Sequence, residues 1–531
     1  MSTKSFRTSL AVLVVGAVLV ATAIVQDSSG GAGRPGAETR APAVFEPPGA
    51  EVGKRRPPVV LIVLDEFPVD ALLDPNMEID RVRYPNFAAL ASTSTWFRNA
   101  HTVYDSTERA VPAVLDGRLP RPGTRPFYTD HPRSVYDLFG RNGYRIVASE
   151  EASSVCPPRY CPGAEARTPD VLGNLAAGRK RRLGAFARRL RARPPTLHLK
   201  HVLLPHGPHV YLPTGRQSRP DELGEPLPGI QTVPGFGDRG LTHFNRQRML
   251  LQIGFLDRQL GRLFARMRRL AMFDRSLVVV TADHGLSSEV GVPSRRQVTR
   301  SNIDEIAPVP LFVKEPGQTR GRSPSTYTRT IDVVPTMADV LGLSMPYRAD
   351  GRSAFSAASR RRRSVRMIRR DFSRTVALGA RAIERRRRSN VRRRLRLFGS
   401  GAWDSLYTGV GPHREMLGRA PAELSVRRGP PTAVRAGIIG GGELRTVGAA
   451  PGVWPTQIVG RLDGGRPNLR RDLAVAVNGR VEAVARSFYL TGSGIESFAV
   501  NVPEASLRPG RNHVQIFEVT DGGALRLLGG A

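Results

Sequence analysis

The chain has 531 residues, 40% of them apolar and 24% charged, a balance that excludes an intrinsically disordered or low-complexity protein and leaves room for a large core plus a further domain. Its net charge of +34 points towards anionic partners, but only five of the 80 basic residues are lysines, a skew that also follows from base composition. Two cysteines exclude a disulfide-rich scaffold and a four-cysteine zinc site.

The N-terminus opens with Lys4 and Arg7 ahead of the apolar run LAVLVVGAVLVATAIV, from Leu10 to Val25. A positive start, an apolar centre and the small residues Ala21-Thr22-Ala23 are the pattern of an export signal, and the run is short for a spanning helix. A signal peptide or membrane anchor is expected over residues 1–26, and an extracytoplasmic body, tethered or secreted, follows from either. Residues 27–56, rich in Gly, Pro, Ala and Ser, read as a flexible linker.

Then comes 59-VVLIVLD-65, a continuous β-branched run of the kind buried on both faces of a parallel sheet. NFAALAST reads as helix and WFRNAHTVY as a second extended segment. In 105-DSTERAVP-112 a helix begins. Asp105, three residues before Glu108, suggests a capping box, and Thr107 is either an ordinary residue of a helix start or a nucleophile. Cys156 and Cys161 close a C-x4-C loop suited to a disulfide outside the cytoplasm. A further buried strand, 197-LHLKHVLL-204, runs into Pro205-His206, with His209 just beyond. From Phe244 to Leu270 apolar residues recur at helical spacing, and 276-SLVVVTADHG-285 is again a buried strand. Strands alternating with helices predict an α/β domain with a mostly parallel central sheet flanked by helices, over residues 57–345.

Residues 346–440 form an Arg-rich connecting segment, expected to be helical. Between Arg360 and Arg396 it holds seventeen arginines against Asp371 and Glu384. It reads either as a solvated helix pair or as a contact for anionic lipid headgroups. Nucleic acid is not expected as a partner, since export removes such targets and aromatic residues for base stacking are sparse. Over residues 441–531 short alternating runs separated by Asn-Gly, Gly-Ser-Gly and Pro-Gly turns predict a small all-β sandwich.

Three predicted strands end in groups that bind metals or move protons: Asp65-Glu66, His206 with His209, and Asp283-His284. Ligands of open α/β sheets bind beyond the carboxyl ends of the strands, so these groups converge on one edge. Two carboxylates and a neutral imidazole make a first coordination shell for a divalent ion. Such an ion would activate the Thr107 alcohol, a poor nucleophile otherwise, for attack on a phosphoryl or sulfuryl centre.

These pieces, with YPNFAALA…TWFRNAHT, LLPHGPH, LDRQLGRL, VPLFVKEPG and TIDVVPTMADVLG in the same order and spacing, resemble the sulfatase family of the alkaline phosphatase superfamily. STERAVP stands where true sulfatases carry the C/S-x-P-x-R motif that yields formylglycine. A threonine there resembles the threonine-nucleophile branch, which includes phosphoethanolamine transferases and lipoteichoic acid synthase. The resemblance implies an alkaline phosphatase-like fold and a covalent intermediate on Thr107. It further implies a metal held by Asp65 or Glu66 with Asp283 and His284, and touching Thr107; His206 would contact the substrate's phosphate or a second metal, with His209 as a further substrate contact. Arg109 could hold an ester oxygen or be solvated, and Lys314, which matches the family's VPLFVK piece, could reach the site as a further substrate contact. One divalent ion (manganese, magnesium, calcium or zinc) is implied, with a second left open. The implied function is an exported hydrolase or phosphotransferase acting on phosphate esters of an envelope substrate at a membrane surface. The alternatives are a sulfuric ester hydrolase and a non-catalytic, polyanion-binding relative. Nothing in the sequence sets the oligomeric state.

Overall fold

The computed structural model describes residues 56–167, 169–192, 195–219, 238–290, 294–426, 433–489 and 494–530, with a short strand at Val44–Phe45. The export segment and nearly all of the linker expected before residue 57 lie outside the described residues. Among the described residues, no helix is long and apolar enough to cross a membrane.

A mixed α/β domain is built on a seven-stranded sheet. Its strands are β1 (Val44–Phe45), β2 (Val59–Asp65), β3 (Thr95–Trp96), β4 (Arg145–Ser149), β5 (Thr196–Pro205), β6 (Leu277–Ala282) and β7 (Leu311–Lys314), in the order β1-β4-β5-β2-β6-β7-β3. The four central strands β4, β5, β2 and β6 are parallel, and β1 and β7 run antiparallel to their neighbours. Every residue of β2, β5 and β6 is buried, as the apolar runs of β2 and β6 predict for strands covered on both faces, while β5 also buries His198, Lys200 and His201.

Side-chain alternation along β2 divides the core. Val60, Ile62 and Leu64 face one layer, where they meet Leu250, Ile253, Leu256 and Leu260 of the long helix α2 (Arg239–Arg269). Val59, Leu61 and Val63 face the other, with Val111, Val114 and Leu115 of helix α1 (Thr107–Asp116) and the helix Val333–Leu341. The extended segment expected over WFRNAHTVY shortens to β3, whose edge position leaves the rest of that run as loop.

The Arg-rich segment is not a helix pair. It forms a hairpin of β8 (Ser364–Ile368) and β9 (Thr375–Gly379), followed by the single long helix α3 (Ala380–Phe398). Helix α3 buries Ile383, Arg387, Asn390, Val391, Arg394 and Phe398, spaced three and four apart on one face. Arg387 donates to Asp70 Oδ1 through Nε (2.9 Å) and Nη2 (2.7 Å), and Arg394 donates to the Leu73 carbonyl. Arginine density here therefore serves docking on the α/β domain as well as solvation.

The C-terminal strands form two four-stranded sheets. One holds β10 (Arg435–Ile438), β11 (Gln457–Asp463), β14 (Phe488–Tyr489) and β15 (Glu496–Asn501). The other holds β12 (Asp472–Val477), β13 (Arg480–Arg486), β16 (Val514–Val519) and β17 (Leu525–Gly530). The first of these strands, β10, starts at Arg435. Asn478-Gly479, both at positive φ, close the tight turn between Val477 and Arg480, as an Asn-Gly pair between alternating runs predicts. Asn501 reaches Gln247 Oε1 of α2 at 2.6 Å, which ties the sandwich to the α/β domain.

Candidate active site

Strand register brings the acids together. Leu64 of β2 pairs with Ala282 of β6, and the Asp283 amide donates to the Leu64 carbonyl at 3.0 Å, so Asp65 and Asp283 leave adjacent strands side by side. Oδ1 of Asp283 accepts the backbone N–H groups of Glu66 (3.0 Å) and His284 (2.6 Å), which fixes its carboxylate plane. Oδ2 of Asp283, Oδ2 of Asp65 and both ring nitrogens of His201 are buried without a hydrogen-bond partner. One ligand atom each from Asp65, His201 and Asp283 lies within 4.8 Å of the others. Buried polar atoms are almost always satisfied, so three orphaned donor groups facing one point fit a bound divalent ion.

Electrostatics agree. Burial opposes charge on Asp65, yet His206, His201 and His284 hold its carboxyl below the usual range. Burial and the Asp65 charge push Asp283 well above it. Two buried carboxylates this close cannot both ionise comfortably without a cation between them.

Thr107 is the first residue of α1. Ser106, in extended conformation, is the N-cap, and its hydroxyl is committed to the Glu108 carboxylate. Asp105 does not close the expected capping box. Its Oδ2 instead accepts the Val298 amide at 2.9 Å, and burial pushes its carboxyl up to about 6. Thr107 is left free to face the acids, with Oγ1 3.4 Å from Asp65 Oδ1 and 3.2 Å from His284 Nε2. His284 donates from Nδ1 to the Gly285 carbonyl at 2.8 Å, so Nε2 presents its lone pair to Thr107. Burial, then the charge of Arg296, lowers the His284 pKa to about 4 and keeps the ring neutral. Gly285 is required here, because a Cβ would sit 2.8 Å from the Glu305 carbonyl oxygen and 2.9 Å from that of Ile306.

The loop after β5 is held from behind. Arg179 donates to the carbonyls of His206 (2.7 Å) and Pro208 (2.8 Å), Gln252 to those of Pro205 and His206, and Arg248 to that of His209. His206 Nε2 consequently stands 3.7 Å from Glu66 Oε2. Burial, with the nearby Arg248 charge, keeps the His209 pKa well below its ordinary value.

Glu66 faces arginines. Its Oε1 accepts Nε of Arg295 at 2.8 Å and lies 3.3 Å from Nε of Arg296. Burial notwithstanding, Arg295, His206 and Arg296 hold its carboxyl well below the usual range. Arg109 stacks over Tyr104 and Phe372 and pairs with Glu108 at 3.4 Å, with no described contact to Thr107. Lys314 is remote. It pairs with Val278 at the start of β6, the opposite end from Asp283, and donates to the Asp274 carbonyl at 3.1 Å. Antiparallel β7 reverses direction, so the expected reach of Lys314 into the site is not realised. Cys156 and Cys161 are disulfide-bonded, with Cα atoms 5.9 Å apart.

Sequence reasoning passed over His201, Arg295 and Arg296. His201 sits in β5 next to Lys200 and near His198, three buried polar side chains of one strand with nothing local to single it out. Arg295 and Arg296 carry no local signal in a chain so rich in arginine.

Residues 198–343 match the Sulfatase family. Arylsulfatase K of Bos taurus is 28% identical over 103 residues, 19% of this chain and 18% of that protein. The 2,3-bisphosphoglycerate-independent phosphoglycerate mutase of Thermomicrobium roseum is 35% identical over 106 residues, 20% of this chain and 19% of the mutase. The multifunctional alkaline phosphatase superfamily protein PehA of Trinickia caryophylli is 33% identical over 100 residues, 18% and 19% of the two chains. The aligned region thus spans about a fifth of the length of these relatives. Among solved structures, the phosphonate monoester hydrolase SpPMH from Silicibacter pomeroyi is 19% identical with a TM-score of 0.45, covering 59% of this chain and 79% of that one.

Proposed function

We propose, from the sulfatase-family segment of the alkaline phosphatase superfamily at residues 198–343, that this chain cleaves or transfers phosphate esters through a covalent Thr107 intermediate. The observation that carries the proposal is the Thr107 hydroxyl at a helix start, 3.2 Å from a neutral His284 Nε2 and beside two carboxylates with orphaned oxygens. Asp65, Asp283 and His201 would hold a divalent ion, which supplies charge neutralisation and polarisation of the ester oxygen. As Oγ1 of Thr107 bonds to phosphorus, its proton passes to His284 Nε2 and the departing ester oxygen takes a proton from solvent; in the second step the incoming water or alcohol gives its proton to solvent as His284 returns its own to Thr107 Oγ1. The first backbone amides of α1 favour the anionic group at that position. Transfer of the phosphoryl group from Thr107 to water or an alcohol regenerates the hydroxyl.

Thr107 rather than Ser106 carries the reaction in this reading, because the Ser106 hydroxyl is spent on Glu108. The Cys156–Cys161 disulfide supports an extracytoplasmic setting. The outer face of α3 supports an anionic envelope surface as partner. It exposes Arg381, Arg385, Arg388, Arg392 and Arg396, of which Arg388 pairs with Glu384. Vesicles with and without anionic lipid test this, and equal binding to both removes the surface from the proposal.

Sulfate esters are the second reading, favoured by the arylsulfatase relatives. A panel of phosphate mono- and diesters, phosphonate monoesters and sulfate esters, with intact-mass analysis of trapped protein, separates the two. The expected result is phosphoester turnover with a phosphoryl adduct on Thr107, abolished in Thr107→Ala. Turnover of sulfate esters alone, or undiminished turnover by the variant, refutes it.

A further inference from the structure

The acid next to Asp65 is committed to two guanidinium groups. Glu66 leaves β2 with φ 58, a left-handed conformation that costs energy for a residue with a side chain. Its two carboxylate oxygens receive Nε (2.8 Å) and Nη2 (3.4 Å) of Arg295, and Arg296 Nε closes on Oε1 at 3.3 Å. Glu66 is absent from the cluster of potential ion ligands formed by Asp65, His201 and Asp283. Exposure is graded across the group: the Glu66 side chain is 1% exposed, those of Arg295 and Arg296 20% and 24%. The carboxylate is fully covered, while both arginine side chains keep part of their surface exposed. Arg296 looks in two directions from there. Its Nη2 donates towards His206 Nε2 at 3.5 Å, and its charge interacts with Asp65, Glu108 and Asp283.

We propose that Glu66 is not an ion ligand but the positioning residue of a two-arginine clamp, in which Arg295 and Arg296 bind the non-bridging oxygens of the tetrahedral group that Thr107 attacks. The proposal rests on the ester-cleaving reading of the same site. Two guanidiniums this close repel each other, and one buried carboxylate between them holds both in a fixed fork. Guanidinium donors match oxyanion geometry, and the clamp keeps one positive charge in excess of Glu66 for an incoming anion. A purely structural ion pair would need neither the partial exposure of both arginines nor the approach of Arg296 to His206.

The test uses the full-length protein loaded with manganese. Metal content is measured by mass spectrometry, and inorganic phosphate and inorganic sulfate are titrated separately by calorimetry. Glu66→Gln is expected to keep its manganese and to lose roughly tenfold or more in oxyanion affinity, the scale of a charge-assisted contact. Arg296→Met, altered at a more exposed side chain, is expected to do the same, and Glu66→Asp to retain part of the affinity. The ratio of phosphate to sulfate affinity in the parent protein shows which oxyanion the clamp prefers. Loss of manganese from Glu66→Gln overturns the proposal by making Glu66 a ligand, and unchanged anion affinity in Arg296→Met overturns the clamp. Intact oxyanion binding in a protein that turns over no ester would instead sink the catalytic reading and leave the clamp standing.

Discussion

Replacing Asp283 by Asn tests the two-carboxylate pocket most directly. Oδ1 of Asp283 already accepts the amides of Glu66 and His284, and an asparagine carbonyl can keep both bonds. What changes is the charge beside Asp65. With ligand atoms within 4.8 Å, two full charges repel by about 3 kcal/mol at an effective dielectric constant of 20. The gain is smaller than the full repulsion, because a proton on Asp283 relieves it at a smaller cost. The raised Asp283 pKa sets the sign: stability is present when the carboxyl is protonated and is lost as pH rises through its folded value. Metal-free Asp283→Asn should therefore melt above the metal-free parent, by about 5 °C or less, and by more at pH 8 than at pH 6. Manganese should raise the melting temperature of the parent, since an ion at a hundred times its dissociation constant contributes about 3 kcal/mol, and should leave the variant almost unmoved. Differential scanning calorimetry of both proteins with and without chelator reads all four states. A metal-free variant less stable than the parent, or one with an undiminished manganese response, refutes the pocket as drawn.

Two further predictions concern the scaffold. Burial opposes charge on Glu151, but Lys200 and Arg182 hold its pKa at about 2, so its ionised form stabilises the fold above its ordinary 4.5 and this is lost as pH falls from there towards 2. The stability difference between the parent and Glu151→Gln in urea should shrink by about 3 kcal/mol across that window, and a pH-independent difference contradicts it. Arg387→Met should cost about 3 kcal/mol by leaving the buried Asp70 carboxylate unpaired, with loss of α3 docking visible as faster proteolysis. A loss below about 1 kcal/mol would show that α3 holds by its apolar contacts alone.

What was legible in the sequence follows from local periodicity. An unbroken β-branched run identifies β2 and β6 because burial on both faces leaves no place for a polar residue, and an acid can appear only where the strand ends. Asp65, Asp283 and His284 stand out for that reason, and Asn478-Gly479 because its turn demands positive φ at both residues. Thr107 could be placed at a helix start, but its own window does not tell it from a capping residue, and its expected role as nucleophile comes from the strand-end acids and the family resemblance. That distinction depends on Asp105 turning to Val298, 193 residues away, and on Ser106 taking the N-cap.

The sequence by itself determined the central strands β2, β5 and β6 and the acids that leave β2 and β6, since these depend on the order of polar and apolar residues along short stretches. Only the tertiary structure decided the partners. It paired Glu66 with Arg295 and Arg296 across 229 and 230 residues, turned His201 towards Asp65, and sent Lys314 to the far end of the sheet. The physical reason is that a charge acquires its role from whichever opposite charge or orphaned donor the chain crossing brings within about 4 Å, and hydrophobic periodicity carries no record of that neighbour.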